Sequence, residues 1–133
     1  MALSPHRMSI RVRYPEADRL GQVNSSCYPV YMEMGRTEML RATGMSYREL
    51  ESDDCCLVVA KLHLTFHKPA RYDDELVLET SIDRATSARI DHHYRFYRDE
   101  VLLAEGRTTL ACVTRRGELR RMPEALLERL GLA

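Results

Sequence analysis

Between Pro15 and Arg36 the chain reads PEADRLGQVNSSCYPVYMEMGR. Acids and turn formers come first, and a patterned apolar segment follows. Asp18, Gly21, Asn24, Ser25 and Ser26 therefore crowd the start of the longest helical pattern in the chain. The first turn of a helix leaves N–H groups without partners and carries the positive end of the dipole. A carbonyl placed there would be polarised. Asn24, Ser25 and Ser26 are also good N-caps, because a short side-chain oxygen can accept from those N–H groups. Asp18 in such a loop is either a solvated turn former or a carboxylate available for chemistry. Glu16, two residues away, could face the same way and couple to it, which would raise one pKa, or it could be a surface charge. Cys27 offers a different chemistry: a thiol at a helix N-terminus can ionise readily and attack a carbonyl, although cysteine is often a small buried hydrophobe.

Other reactive residues are less suggestive. His63 and His67 would share a face of a strand about 13 Å apart, too far for one ion. His92 and His93 would point to opposite faces. No metal is assigned. Lys68 and Arg71 lie in HKPARYDD, a charged segment near a strand end. Cys27, Cys55, Cys56 and Cys112 have neither zinc-site nor disulfide-framework spacing. Reduced thiols are expected, with a vicinal Cys55–Cys56 redox couple as the alternative.

These residues need elements to position them. MSIRVRY alternates Ile10, Val12 and Tyr14 against Arg11 and Arg13, a period-two strand that Pro15 ends. A loop follows from Glu16 to Ser26. Tyr28, Met32, Gly35, Met39 and Ala42 recur at helical spacing, which predicts a helix from about Cys27 to Thr43 with one buried stripe. Glu33, Thr37 and Arg41 mark its other face, and Gly44 suits the C′ position. Gly35 in mid-stripe costs helix propensity but lets a sheet or another subunit pack close. Ser46 to Glu49 reads as a capping box for a second short helix. From Cys55 the pattern turns to strands: Leu62, Leu64 and Phe66 alternate with His63, Thr65 and His67, and four further strand segments follow. Turns fall at Asp99–Glu100 and Arg116–Gly117, and Pro123 is expected at the first position of a last short helix. One long helix and a run of consecutive strands predict an α+β fold with the helix across the sheet.

The chain has 133 residues, read as a single domain over 1–133. Apolar residues make up 44% and charged residues 30%, which fits an ordinary globular protein. The formal net charge is zero, against the strong basic balance expected of a nucleic-acid binder. No apolar run approaches the about 20 residues of a membrane span, and MALSPHRMSI lacks a signal-peptide core. A cytoplasmic location is expected.

The order and spacing of these motifs resemble the hotdog-fold acyl-CoA thioesterases, the group that includes 4-hydroxybenzoyl-CoA thioesterase. The matching stretches are RVRYPEADRLGQVNSSCYPVYMEMGR, LTFHKPARYDDELVLET and LLAEGRTTLACVTRRGELRRMPEALLERL, covering about residues 8 to 130. Where many members have Gly-His-Val-Asn-Asn, this chain has Gly21-Gln22-Val23-Asn24-Ser25. The resemblance implies a curved antiparallel sheet wrapped around one long central helix. It implies hydrolysis of an acyl-CoA thioester, with Asp18 as general base or nucleophile and the Ser25 N–H, beside Asn24, as oxyanion donor. Tyr28 would contact substrate from the helix, and Glu33 and Arg36 would either do so too or form a polar pairing that fixes the helix start. Lys68 and Arg71 are candidates to meet the phosphates of coenzyme A at the pocket rim, with a solvated charged loop as the alternative. No cofactor is needed, and the family's sheets join edge to edge in homodimers, often paired into homotetramers. Tyr28, Tyr31, Met32 and Met34 are candidates to line an acyl pocket. Two other readings stand beside this one: a non-catalytic acyl-CoA or acyl-carrier-protein binding domain, and an enoyl-thioester hydratase. The hydratase type uses an Asp/His pair, and no histidine is near Asp18 in sequence.

Overall fold

The structure, a computed structural model, describes residues 4–131; residues 1–3 and 132–133 of the expected 1–133 domain lie outside the described residues. The strands are β1 (His6–Arg11), β2 (Cys56–Phe66), β3 (Glu75–Ala85), β4 (Ile90–Arg98), β5 (Val101–Val113) and β6 (Leu119–Arg120). They form one sheet in the order β1-β3-β4-β5-β2, with β6 paired to β5. Every pairing is antiparallel. The helices are α1 (Cys27–Ala42), α2 (Tyr47–Ser52) and α3 (Glu124–Arg129). The α1 helix lies across the sheet, the hotdog arrangement that the resemblance implies.

Period-two alternation explains which face α1 covers. Leu78, Phe96 and Ala104 are in register across β3, β4 and β5 and are fully buried. Tyr28, Met32, Gly35 and Met39 supply the helix side of that contact. Two glycines set its closeness. A Cβ on Gly35 would stand 2.5 Å from Thr80 Oγ1 and 2.7 Å from Leu78 Cδ2, and one on Gly106 2.7 Å from Met32 Cε. Gly35 therefore makes room for the sheet. Gly35→Val is expected to lower stability by about 2 kcal/mol or more, since overpacking outweighs the gain in helix propensity. A urea midpoint no lower than that of wild type would count against this packing.

Four expectations need correction. Tyr14 does not continue the first strand: it sits in a single 3₁₀ turn (Tyr14–Glu16) and is 77% exposed. Pro15 inside that turn and the Glu16 carboxylate accepting from the Arg13 N–H at 2.8 Å bend the chain away from the sheet. Ala42, at the end of the stripe, is exposed rather than buried. Pro123 is the N-cap of α3 rather than its first helical residue. Glu16 is buried, not a surface charge. The two-residue turn at Asp99–Glu100 forms with Asp99 at φ 54°, and Gly44 and Gly117 take the positive φ their positions require.

The β2 strand is unusual. It is 11 residues long and ends the sheet order, so one side has no strand partner among the described residues. Leu62, Leu64 and Phe66 face the helix side, in register with Thr108, Gly106 and Ala104. Leu62 is nevertheless 46% and Phe66 50% exposed, because α1 does not reach that far across. A long apolar edge of this kind normally needs cover.

Candidate active site

The loop from β1 to α1 is fixed chiefly through Glu16. Its carboxylate accepts from the Arg13 N–H, from the Arg13 guanidinium at 3.0 Å and from the Tyr31 hydroxyl at 2.9 Å. Burial pushes its pKa up, but these donors outweigh burial and hold it below the ordinary glutamate value. Its backbone carbonyl accepts from the Asn24 N–H at 2.9 Å and lies 3.6 Å from Cys27 Sγ. One residue thus ties the end of β1 to the start of α1, and Tyr31 transmits that anchoring from the helix.

Within this frame Asp18 starts a tight turn. Its carbonyl accepts from the Gly21 N–H at 3.0 Å, and Gly21 takes φ 77°. Its Oδ1 accepts from the N–H groups of Leu20 at 2.9 Å and Gln22 at 3.0 Å. The second carboxylate oxygen has no hydrogen bond among the described residues. Asp18 is therefore a turn former and a carboxylate with one oxygen available. The turn is braced by the segment after β2: the Val23 N–H donates to Ala70 O at 2.8 Å and the Tyr72 N–H to Gly21 O at 3.0 Å.

Asn24 accepts the Ser26 N–H and hydroxyl through Oδ1, both at 3.0 Å, and so opens the helix. Ser26 is the N-cap by position, with no side-chain cap bond. The Cys27 and Tyr28 N–H groups turn back onto Asn24 O and Ser25 O. The Ser25 N–H has no acceptor among the described residues, which leaves it free to donate to a ligand.

A cavity of about 430 Å³ opens at this junction, and Asp18, Asn24, Ser25, Tyr28 and Lys68 all line it. Five of the seven residues selected from sequence are thus brought together. Glu33 and Arg71 are not among the lining residues. The Glu33 carboxylate is exposed, 4.0 Å from Arg36 Nη2. Arg71 braces the loop instead, bridging to Gln22 and donating its N–H to Asp74 Oδ2 at 2.8 Å. Of the acyl-pocket candidates only Tyr28 reaches the cavity; Tyr31 and Met32 are core, and Met34 is on the outer side of α1, 39% exposed.

Cys27 does not line the cavity. Burial first, and the Glu16 carboxylate second, push its thiol pKa up. That is opposite to what a helix N-terminal nucleophile needs.

Phe66 and His67 also line the cavity and were not selected from sequence. The Phe66 ring stands edge-on to Tyr28 at 5.1 Å. His67 Nε2 lies 3.1 Å from Glu105 Oε2, and the other oxygen of Glu105 is 3.3 Å from His93 Nε2. His67 is separated from Asp18 by 48 intervening positions (67 − 18 − 1). The one available signal was the run of Phe66, His67 and Lys68 just before the Pro69 turn.

A central helix wrapped by an antiparallel sheet is the layout of the hotdog-fold thioesterases. The chain belongs to the thioesterase-like superfamily, whose family model matches residues 12–130. It is 32% identical over 121 residues to the acyl-CoA thioester hydrolase YbgC of Escherichia coli O6:H1, covering 90% of this chain and 88% of that protein. Protein TT1821 of Thermus thermophilus superposes with a TM-score of 0.89 at 36% identity, covering 96% of this chain and 98% of that one. The DHNA-CoA thioesterase of Staphylococcus aureus, 22% identical, shares the fold with a TM-score of 0.86 over 96% of this chain and 83% of that one. No helix among the described residues is long and apolar enough to cross a membrane.

Proposed function

We propose that the protein hydrolyses an acyl-CoA thioester to the free acid and coenzyme A. The observation that carries this reading is a carboxylate and an unpaired backbone N–H at one cavity, Asp18 and Ser25. Thioester hydrolysis needs those two functions: a group to activate water or attack the carbonyl, and a donor for the oxyanion. In this reading the thioester carbonyl accepts from the Ser25 N–H at the positive end of α1, with Asn24 shaping that end. Asp18 takes the proton of the attacking water through its available oxygen, or attacks the carbonyl itself to give a mixed anhydride that water then opens to the free acid and Asp18. The carbon–sulfur bond breaks, and the leaving thiolate takes up a proton. Tyr28 and Phe66 form the apolar wall nearest the reacting carbon.

Lys68 at the rim supplies charge for the phosphates of coenzyme A. Lys68→Ala is expected to raise KM several-fold with kcat nearly unchanged, because a rim charge contributes equally to ground and transition states. The KM increase should fall away with added salt. A loss confined to kcat would remove Lys68 from the binding role. Glu33 and Arg71 enter this model only if a second subunit completes the site.

The half-exposed apolar row of β2 suits a second copy of this chain, joined edge to edge to give a homodimer or a homotetramer of two such pairs. The partner edge would cover Leu62 and Phe66 and wall the open side of the cavity. Light scattering that gives a monomer mass would oppose this completed site.

The test of the reaction is thiol release from short, long and aromatic acyl-CoAs. Binding without release would leave an acyl-CoA or acyl-carrier-protein binding domain. His67 at the same cavity as Asp18 also gives the enoyl-thioester hydratase reading the histidine that it needs. Loss of enoyl absorbance without thiol release would select that reaction.

A further inference from the structure

Two thiols distant in sequence meet beneath α2. Cys55 immediately precedes β2, and Cys112 is near the end of β5. Their Sγ atoms are 2.7 Å apart across 57 positions of chain. They are 0% and 1% exposed, in an apolar cluster with Leu50, Leu110, Met122 and Leu126. Both backbones are anchored. The Cys55 N–H donates to Leu50 O at 2.8 Å, and Cys112 lies in register with Leu57 on one side and Arg120 on the other. Cys56, the sequence neighbour, is in register with Val113 and is only partly buried. Cys27 lies far off at the N-terminal end of α1, beside Glu16. The tertiary structure therefore pairs Cys55 with Cys112, not with Cys56.

We propose that Cys55 and Cys112 are a disulfide-forming pair, oxidised by a low-molecular-weight disulfide, that clamps the α2–β2 junction to the β5–β6 hairpin. With a disulfide oxidant, the thiolate of one cysteine attacks a reagent sulfur and expels one reagent thiolate. The second cysteine thiolate then attacks the protein sulfur of that mixed disulfide and expels the other. The protein loses two electrons, and its two protons end on the two reagent thiols. Neither sulfur is open to solvent, and burial pushes the Cys55 thiol up to about 12. Exchange therefore proceeds through local opening and is slow, and the bond once formed is sheltered from reductant. Closing so long a loop restricts the unfolded chain and stabilises the fold. The clamp stands apart from the Asp18 cavity, so the inference does not depend on the catalytic reading.

The test uses the full chain, purified reduced and then held with excess oxidised glutathione. Remaining thiols are alkylated in denaturant, and intact mass and unreduced peptides are read. The expected result is two alkylated cysteines out of the four in the chain, an intact mass two alkyl groups below that of the reduced and fully alkylated protein, and a peptide linking Cys55 to Cys112. The Cys56→Ser variant should give the same link, which assigns the bond. The Tm should rise by about 10 °C and return on reduction. Cys112→Ala should show neither link nor shift. Four alkylated cysteines after oxidation, glutathione retained without a link, or a link to Cys56 would each overturn the proposal. The mapping on unaltered protein decides the matter even if Cys112→Ala does not fold.

Discussion

Asp18→Asn is expected to lower kcat for thioester hydrolysis by about a thousandfold or more while leaving the fold intact. The size follows from the general-base contribution, which is on the order of 10²–10⁴. The choice of asparagine follows from the turn. The Asp18 Oδ1 holds two backbone N–H groups, and an amide oxygen can accept the same pair, so the loop keeps its shape and only the basic oxygen is lost. Asp18→Ala would confound the two roles by leaving those N–H groups without their acceptor, at a cost of about 1–3 kcal/mol in stability. The measurement is thiol release at saturating substrate beside a thermal melt. Activity within tenfold of wild type at unchanged Tm would remove Asp18 from the chemistry. A single turnover in heavy-oxygen water then tests the nucleophilic role. Label on Asp18 shows an anhydride opened at the aspartyl carbon, whereas direct attack by water, or opening at the acyl carbon, places the label in the released acid.

The second large effect is on stability and depends on pH. His92 is 4% exposed on the helix side of β4, stacked on Tyr94 at 5.9 Å, and its Nδ1 has no partner among the described residues. Burial first, and the nearby Arg36 cation second, pull its pKa from 6.5 to about 3. The sign follows from proton counting. Between those values the unfolded chain binds a proton at this position and the folded chain does not. Its contribution is therefore fully present above pH 6.5 and is lost as pH falls. Each pH unit below 6.5 is expected to remove about 1.4 kcal/mol, so pH 4.5 should cost about 2.5 kcal/mol. Carboxylates held below their ordinary values, Glu16, Asp74, Asp91 and Glu105, add their losses only as pH falls further, toward their folded pKa values. Urea midpoints from pH 7.5 to 4.5 read the slope. His92→Phe, of similar shape and with no proton to bind, should flatten it. An equal slope in that variant would assign the acid sensitivity to other groups.

Local chemistry made much of this legible in the linear chain. Apolar spacing of three and four residues located α1, alternation located the strands, and the Asp-x-x-Gly turn before an Asn-Ser-Ser run marked the cavity's acid and its helix start. Those signals depend on neighbours within one turn or one strand, which the order of residues records directly. Tyr14 failed for the same reason in reverse. Its alternation with Ile10 and Val12 continued past Arg13, where the Glu16 carboxylate caps the backbone and the Tyr14–Glu16 turn begins, so a side chain three residues beyond Arg13 decided the matter.

What the sequence by itself determined was the element order, the α+β class and the position of Asp18, Asn24 and Ser25 at one junction. Only the tertiary structure decided that Phe66 and His67 share their cavity, that Glu33 and Arg71 stand outside it, that Glu16 is a buried anchor, and that Cys55 meets Cys112. Those placements depend on strand register, on how far α1 reaches across the sheet and, for Glu16, on the Tyr31 hydroxyl that α1 brings to it. Register is set by hydrogen bonds between residues dozens of positions apart, and no local spacing in the chain encodes it.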